Sequence, residues 1–318
     1  MEKDQIIILE NRGLVSITGH DAQDYLQNII TNDINKVSEI SSIFAALLSP
    51  QGKYLFEFFV LKSEEGYFLD CDSGSVSELI SHLSKYKIGS KVEIKNLSSN
   101  YAVGIISLEN FKIIQNKVGK YDLTLKFRTS PIFVDPRDRG LGARIISPLE
   151  NLYLTIKKLN LKITAKEKYL EQAYFSGIPV EGLKNLQNQL FGLELNFERL
   201  NAIDFKKGCY VGQENTARMK LKKKIRRKLM PVKTECEIKI GDEIKYNDCI
   251  IGKILIDKPF PFAVIKLFDP EFSLFKNEKL IINEEDITIL SWVLLIKILI
   301  GHVNTLGLWV QKIHFGAY

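Results

Sequence analysis

Short apolar runs and turns alternate through the first third of the chain. The strands that these runs predict span residues 6–9, 14–17, 44–48, 54–61, 67–71 and 91–97. Apolar side chains also recur every three or four positions from Ala22 to Ile29 and from Val76 to Leu83, which predicts two amphipathic helices. Residues 1–97 therefore predict an α+β subdomain, in which helices pack against a mostly antiparallel sheet.

The alternation continues more weakly as far as residue 225. Predicted strands span 101–106, 121–127, 131–135 and 143–146, and predicted helices span 150–159 and 165–176. Residues 189–203 show no clear period. We expect a second α+β subdomain over about 98–225.

A different pattern follows Pro231, with short strand candidates separated by turns. These candidates span 236–240, 243–246, 249–256, 261–267 and 279–283. Their spacing is typical of a small β-barrel, which we expect over 226–285, with a domain boundary near 225–230.

Residues 286–318 form an atypical apolar tail. Ile287–Ile300 has eleven apolar residues in fourteen, which falls short of the roughly 18–20 residues of a membrane-spanning helix. The pattern favours a buried last strand or an interfacial helix, and we expect no stable membrane insertion.

Composition narrows the function classes. A formal net charge of +6 over 318 residues makes no global case for nucleic-acid binding. The four cysteines form no C-x-x-C pair and the four histidines are scattered, so no metal site is predicted. Few cysteines favour a reducing compartment, and the polar start at residues 1–5 resembles neither a signal nor a transit peptide. We expect a bacterial cytoplasmic protein.

The stretch 204–218 carries the densest candidate chemistry. Gly208 and Gly212 allow tight turns or a close approach to a ligand. Cys209 follows two lysines, and nearby cations favour the thiolate over the thiol. Gln213 and Glu214 offer amide and carboxylate hydrogen bonds of the kind that bind a flat heterocycle. The alternative for Cys209 is a small residue that packs a turn.

The stretch is followed by a basic run. Lys220–Lys228 holds seven cationic residues in nine positions, without an acid. One interpretation is a phosphate-binding stripe for tRNA or for the polyglutamate tail of a folate, and another is contact with an acidic partner. A solvated basic strand between domains is the third.

The octapeptide Lys207–Glu214 resembles the K-G-C-[FY]-x-G-Q-E signature of the YgfZ family, folate-binding proteins related to the glycine cleavage T protein, an aminomethyltransferase. Further segments resemble that family in the same order: Tyr25–Gln27 with Thr31–Asp33, Ser49–Lys53, Lys85–Ile88 with Lys91–Val92, Asp135–Arg137 with Leu141–Gly142, and Gly177–Pro179. The resemblance covers roughly residues 5–230.

The resemblance implies a GcvT-like fold, with two intertwined α+β subdomains around a central folate pocket and a small C-terminal β-barrel. It implies a tetrahydrofolate cofactor, or a one-carbon derivative, and Cys209 as the functional thiol. The predicted cofactor-binding residues are Asn32, Asp33, Tyr169, Lys207, Tyr210, Gln213 and Glu214. Asn32 and Asp33 are alternatively a helix cap, Tyr169 a core residue, and Asp135 with Arg137 a salt-bridged turn.

The function implied is that of a folate-dependent accessory protein for iron–sulfur cluster assembly or maintenance. Its clients would be iron–sulfur enzymes, including tRNA-modifying enzymes. One alternative is a folate-dependent aminomethyltransferase like the T protein. Another is an RNA-binding protein that acts through residues 220–228.

Overall fold

Residues 2–222 and 225–290 are described by the structure, a computed structural model. The strands of the two sheets are β1 Gln5–Leu9, β2 Arg12–Thr18, β3 Ile43–Leu48, β4 Tyr54–Lys62, β5 Gly66–Asp72, β6 Glu93–Asn96, β7 Tyr101–Ile106, β8 Thr124–Phe127, β9 Ser130–Val134, β10 Ala143–Pro148 and β11 Lys162–Ile163. The barrel strands are β12 Arg227–Lys233, β13 Glu243–Tyr246, β14 Cys249–Ile256, β15 Phe262–Lys266, β16 Leu280–Ile282 and β17 Glu285–Ile289. The α-helices are α1 Ala22–Ile29, α2 Val76–Lys85, α3 Leu108–Val118, α4 Leu149–Leu159, α5 Glu167–Phe175, α6 Gln213–Leu221 and α7 Phe272–Phe275.

The first sheet is antiparallel, in the order β3-β4-β5-β2-β6. Helices α1 and α2 share the core on one side of this sheet, where α1 buries Tyr25, Leu26 and Ile29. The Tyr25 hydroxyl donates a hydrogen bond of 2.6 Å to the carbonyl of Leu83 and so joins the two helices. The apolar period that predicts these helices therefore corresponds to their buried faces.

The second sheet has the order β11-β1-β7-β10-β9-β8, and only its β1–β11 pair is parallel. The sequence predicts two strands around the turn at 11–13, and these strands enter different sheets. β1 pairs with β7 of the second sheet, while β2 pairs with β5 and β6 of the first. This crossing makes the two subdomains intertwined.

One apolar core joins both sheets to the barrel. The Phe59 ring of the first sheet lies 5.1 Å from Phe44 and 5.7 Å from Phe133 of the second, measured between ring centroids. Leu229 of β12 and Ile256 of β14 belong to the same buried cluster. The barrel is therefore held to the body by packed side chains as well as by the chain.

The barrel is closed, in the order β12-β15-β14-β13-β16-β17. Two details differ from the prediction. Residues 236–240 are not a strand, and the first strand is instead β12, where Leu229 to Val232 are buried directly after the basic run. The last strand, β17, extends to Ile289 and includes the first residues of the predicted tail, while residues 291–318 lie outside the described ranges. In the part of the chain that is described, no helix combines the length and apolarity needed to cross a bilayer.

Candidate functional site

A cavity of about 530 Å³ opens where the two sheets meet. The first subdomain lines it with Asn32, Lys36 and residues 41–44, the second with 123–124 and 134–139, and the approach to the signature with Asn201, Ile203 and Asp204. The Lys36 ammonium lies 2.7 Å from the Asp204 carboxylate. Burial acts to raise the pKa of Asp204, but the hydrogen bond and charge of Lys36, together with hydrogen bonds from the backbone of Lys206 and Lys207, lower it overall.

The turn that follows β9 closes one side of this cavity through a buried ion pair. The guanidinium of Arg137 donates two hydrogen bonds to Asp135, of 3.0 and 2.8 Å. Burial acts to raise the pKa of Asp135, but the charge of Arg137 lowers it below its usual range. Arg137 also lies over the rings of Phe44 and Phe59, at 5.3 and 4.7 Å. The pair is thus a saturated structural element that also lines the cavity.

A second cavity, of about 520 Å³, lies at the other end of the seam between the sheets. Thr124 of β8 lines the first cavity, whereas Lys126 of the same strand lines the second. The second is bounded by Phe68 and Tyr101, whose ring centroids are 5.8 Å apart. Both cavities fall within the size range of small-molecule pockets, about 300–1,000 Å³.

Asn32 and Asp33 follow α1 and are both engaged by the protein itself. The Asn32 amide donates 2.8 Å hydrogen bonds to the carbonyls of Phe44 and Asn201, and its oxygen accepts from the Asp33 amide. Asp33 accepts hydrogen bonds from Asn35, at the start of a short 3₁₀ turn. The predicted capping role is therefore present in the structure, and Asn32 also lines the first cavity.

Lys207 is buried, and its ammonium group donates hydrogen bonds at the C-terminal end of α1, a helix that is distant in the sequence. It donates hydrogen bonds to the carbonyls of Gln27 at 2.7 Å, of Asn32 at 3.1 Å, and of Ile30. The Gln27 carbonyl belongs to the last turn of α1, which has no basic residue of its own, and the other two follow that turn. Helix C-termini leave carbonyls without intrahelical partners and attract cations. Burial lowers the pKa of Lys207 to about 8.

The three residues after Lys207 differ in their exposure to solvent. Gly208 and Cys209 are exposed, and Tyr210 is buried again. The Lys207 ammonium lies 4.9 Å from the centre of the Tyr210 ring. Burial raises the pKa of Tyr210 to about 12, opposed by a hydrogen bond with Thr216 of α6. Cys209 therefore lies on a two-residue exposed loop between two buried side chains.

Two of the segments that resemble the family are in direct contact. Gly52, in the turn between β3 and β4, and Gly212 both have positive φ angles, of +82° and +83°. A Cβ on Gly212 would lie 2.5 Å from the Ser49 carbonyl oxygen and 3.1 Å from the Gly52 Cα. The Asn215 amide donates a 2.9 Å hydrogen bond to the carbonyl of Gln51. Glycine is thus required at 212 by both conformation and space.

Gln213 and Glu214 begin α6, a helix that the sequence analysis does not predict. The Glu214 side chain is 82% exposed and forms a 2.6 Å ion pair with Arg218, one turn further along. Neither residue is among those that line the first cavity. Their assignment to a cofactor stays a prediction.

Tyr169 lies on α5 and is buried behind the cavity rather than in its wall. Its hydroxyl oxygen is 3.4 Å from guanidinium nitrogens of Arg137 and of Arg144. Arg144 and Arg12 both donate to Asp70, at 2.9 and 2.6 Å. The structure thus places Tyr169 beside a buried charge network that joins the two sheets.

The members of this network are not predicted by the sequence analysis, although a signal for them exists. Asp70, Arg144 and Glu57 each interrupt an apolar strand, and a charge in a buried strand requires a partner. Glu57 accepts a hydrogen bond from the hydroxyl of Tyr54. Burial raises the pKa of Glu57 to about 7.

Two residues of the basic run form ion pairs within the protein. Lys220 pairs with Glu198 and lies 4.0 Å from the centre of the Phe205 ring, and Arg227 pairs with Glu194 at 2.7 Å. Burial lowers the pKa of Lys228. Residues 223 and 224 lie outside the described ranges. A tRNA contact through 220–228 stays a prediction.

The first cavity has the size of a small-molecule pocket, and its lining carries charges of both signs. The cations are Lys36, Arg137 and Arg139, and the carboxylates are Asp135, Asp138 and Asp204. Residues 2–222 and 225–290 contain no group of three His, Cys, Asp or Glu side chains arranged to hold a metal ion. Since Lys36 is paired with Asp204 and Arg137 with Asp135, the exposed Arg139 is the cation of this lining that a ligand carboxylate could reach most directly.

No protein-family model matches the sequence. Among characterised proteins, the chain is 28% identical over 256 residues to "Iron-sulfur cluster assembly factor IBA57 homolog, mitochondrial" of Dictyostelium discoideum, a match that covers 71% of this chain and 62% of that protein. It is 29% identical over 228 residues to the protein of the same name from Pyricularia oryzae, covering 70% and 56%. The chain thus spans about 56 to 62% of the length of these relatives.

A solved structure shows the fold. The crystal structure of glycine cleavage system aminomethyltransferase T from Bartonella henselae superposes with a TM-score of 0.71, covering 91% of this chain and 85% of that one, at 12% sequence identity. This likeness confirms the predicted α+β, GcvT-like fold class with its C-terminal barrel. The chain therefore has homologues among the IBA57 iron–sulfur cluster assembly factors, and it has the fold of aminomethyltransferase T.

Proposed function

We propose that this protein is a tetrahydrofolate-binding accessory factor for the assembly or maintenance of iron–sulfur clusters in client enzymes, of the YgfZ type. The relatives that are named as iron–sulfur cluster assembly factors support this role. So does the octapeptide Lys207–Glu214, whose resemblance to the YgfZ signature is independent of the overall fold. We also propose a bacterial cytoplasmic location.

One observation carries the proposal: the exposure of Cys209 between two buried side chains. A thiol in such a place can reach a partner while its position stays fixed. Iron–sulfur clusters commonly take four protein ligands, so a single thiol would share a cluster or relay sulfur with a client. The cluster is then cargo passed between proteins.

The cofactor would bind in the first cavity. The exposed Arg139 would hold a glutamate carboxylate, and the Asn32 segment would flank the ring system. Bound tetrahydrofolate would supply a carrier for one-carbon units. The Asp135–Arg137 pair would keep the cavity wall rigid, because its own hydrogen bonds are already satisfied.

Cys209→Ala tests the role of the thiol, with Cys249→Ala as the matched control, because Cys249 is also an exposed cysteine. We expect both variants to fold with unchanged melting temperature, since neither thiol fills a core. In a deletion strain, iron–sulfur enzyme activity should recover with wild type and Cys249→Ala, and should stay low with Cys209→Ala. Full complementation by Cys209→Ala would exclude a functional thiol.

Titration with tetrahydrofolate under reducing conditions tests the cofactor. We expect wild type to bind and Arg139→Glu to weaken binding at least about tenfold, because the reversed charge would face a carboxylate. Tyr101→Ala, at the second cavity, should bind like wild type. Loss of binding in Tyr101→Ala alone would move the ligand to the second cavity, and no binding in wild type would remove the cofactor.

A second candidate function is folate-dependent one-carbon transfer. The likeness of the fold to that of aminomethyltransferase T supports it. Folate-dependent turnover in a glycine cleavage assay would place this function ahead of the first.

A further inference from the structure

We propose that Lys207 is a positioning residue, which fixes the exposed Gly208–Cys209 loop by tying it to the C-terminal end of α1. The value of this position for iron–sulfur chemistry rests on the function proposed above. The mechanical claim, that one buried ammonium group holds the loop, stands on the contacts of Lys207 alone.

Three backbone carbonyls account for all the donors of Lys207. An ammonium group has three N–H donors, and those of Lys207 face the carbonyls of Gln27, Ile30 and Asn32. The contacts span more than 170 positions of sequence, so they join two distant segments of the chain. Lys207 supplies the cation that the last turn of α1 lacks.

The other end of the loop is held by Tyr210. Its ring packs against the Lys207 ammonium at 4.9 Å, and its hydroxyl group interacts with Thr216 on α6. The two residues that flank Gly208 and Cys209 therefore contact each other as well as separate helices. A two-residue loop whose ends meet has little freedom to move.

The neighbouring lysine allows a positioning role of Lys207 to be distinguished from an effect of its charge. Lys206 and Lys207 are adjacent and carry the same formal charge, but Lys206 is exposed while Lys207 is buried. If the lysines act on Cys209 only through their electric field, neutralising either one should have a similar effect. If Lys207 holds the loop, neutralising Lys207 alone should release it.

A spin label on Cys209 measures this directly. The label is attached in a Cys236→Ser, Cys249→Ser background, where the remaining Cys71 is buried and protected from labelling. We expect an immobilised spectrum with native Lys207, and at least about a twofold shorter rotational correlation time in Lys207→Met. Lys206→Met should match the parent, and Lys207→Arg, which keeps a cation and several donors, should restore most of the immobilisation.

Circular dichroism establishes that each variant is folded. Should Lys207→Met fail to fold, Lys207→Gln, which retains two N–H donors, is labelled in its place. An unchanged spectrum in the folded Lys207 variant, or equal loosening in Lys206→Met, would overturn the proposal. A released loop with full support of iron–sulfur enzymes would leave the positioning role intact and would show that the proposed function does not depend on a fixed Cys209.

Discussion

Buried charged groups in this protein are of two kinds, and they differ in what faces them. At the seam between the sheets, Asp70 faces the guanidinium groups of Arg12 and Arg144. The hydrogen-bond partners of Lys207 are instead neutral backbone carbonyls. Glu57 is similar to Lys207, since it accepts from the hydroxyl of Tyr54.

The pKa values follow the partners. Burial acts to lower the pKa of Arg12, but the charge and hydrogen bond of Asp70, together with smaller contributions from neighbouring acidic groups, raise it overall. For Lys207 burial prevails and the pKa falls to about 8, while for Glu57 burial raises the pKa to about 7. Neutral partners satisfy donors and acceptors but do not replace a counter-charge. Arg12 at the seam is therefore held in its charged form, whereas Lys207 and Glu57 titrate near neutral pH.

Removal of the Asp70 charge, which Arg12 and Arg144 share, should have the largest effect on stability. Asp70→Asn leaves Arg12 and Arg144 buried without their carboxylate, and breaking a buried pair in this way costs about 3–5 kcal/mol. We expect a loss of that size in the free energy of unfolding, measured by urea at pH 7. Asp24→Asn, at an exposed aspartate of α1, should change it by less than about 1 kcal/mol. Equal losses in the two variants would mean that the seam does not depend on its charges.

Glu57 should make stability fall as pH rises. Its pKa is about 7 when folded, above the ordinary value near 4.5, so the folded state binds the extra proton. Stability is then fully present below about pH 4.5 and is lost as pH rises towards 7. The loss should be roughly 2 kcal/mol, less than the full shift would give, because the carboxyl retains some exposure.

Glu57→Gln is the variant that isolates this effect. The amide keeps an acceptor for Tyr54 but cannot ionise, so the fall in stability between pH 5 and 8 should be smaller than in wild type. Urea unfolding across that range measures the difference. A pH profile that is the same in both proteins would assign the slope to another group.

The fold could be predicted where the apolar period is strong and the turn residues agree with it. Helix α3 shows where this failed. Ser107 caps its start by accepting a hydrogen bond from the Asn110 amide, and Gly119 ends it with a φ of +70°. Both signals are in the sequence, but the apolar period of the segment is weaker than that of α1, which makes the buried face of Phe111 and Ile114 harder to recognise. Pairing of β1 and β2 with different sheets depends on contacts 48 to 100 residues away, which no local pattern contains.

The sequence identifies the segments that form the site, but not how these segments contact each other in space. The octapeptide and the turn 49–53 were recognised, but their contact through Gly52 and Gly212 is a property of the fold. The predicted effect of two lysines on Cys209 assumed that both act alike, and the structure buries one of them. A side chain's direction is set by its tertiary partners, so adjacency in sequence did not identify the role of Lys207.

The smallest effect on stability should come from a charge pair at the protein surface. Glu214 lies one turn before Arg218 in α6, an orientation that is worth about 0.2–0.5 kcal/mol at an exposed site. Glu214→Ala and Arg218→Ala should each lower the free energy of unfolding by about that amount, and the double variant by little more than either. In 1 M NaCl the coupling should vanish, because the screening length falls to about 3 Å. A coupling that persists at high salt would mean that this pair, like Asp70 with its arginines, is shielded from solvent.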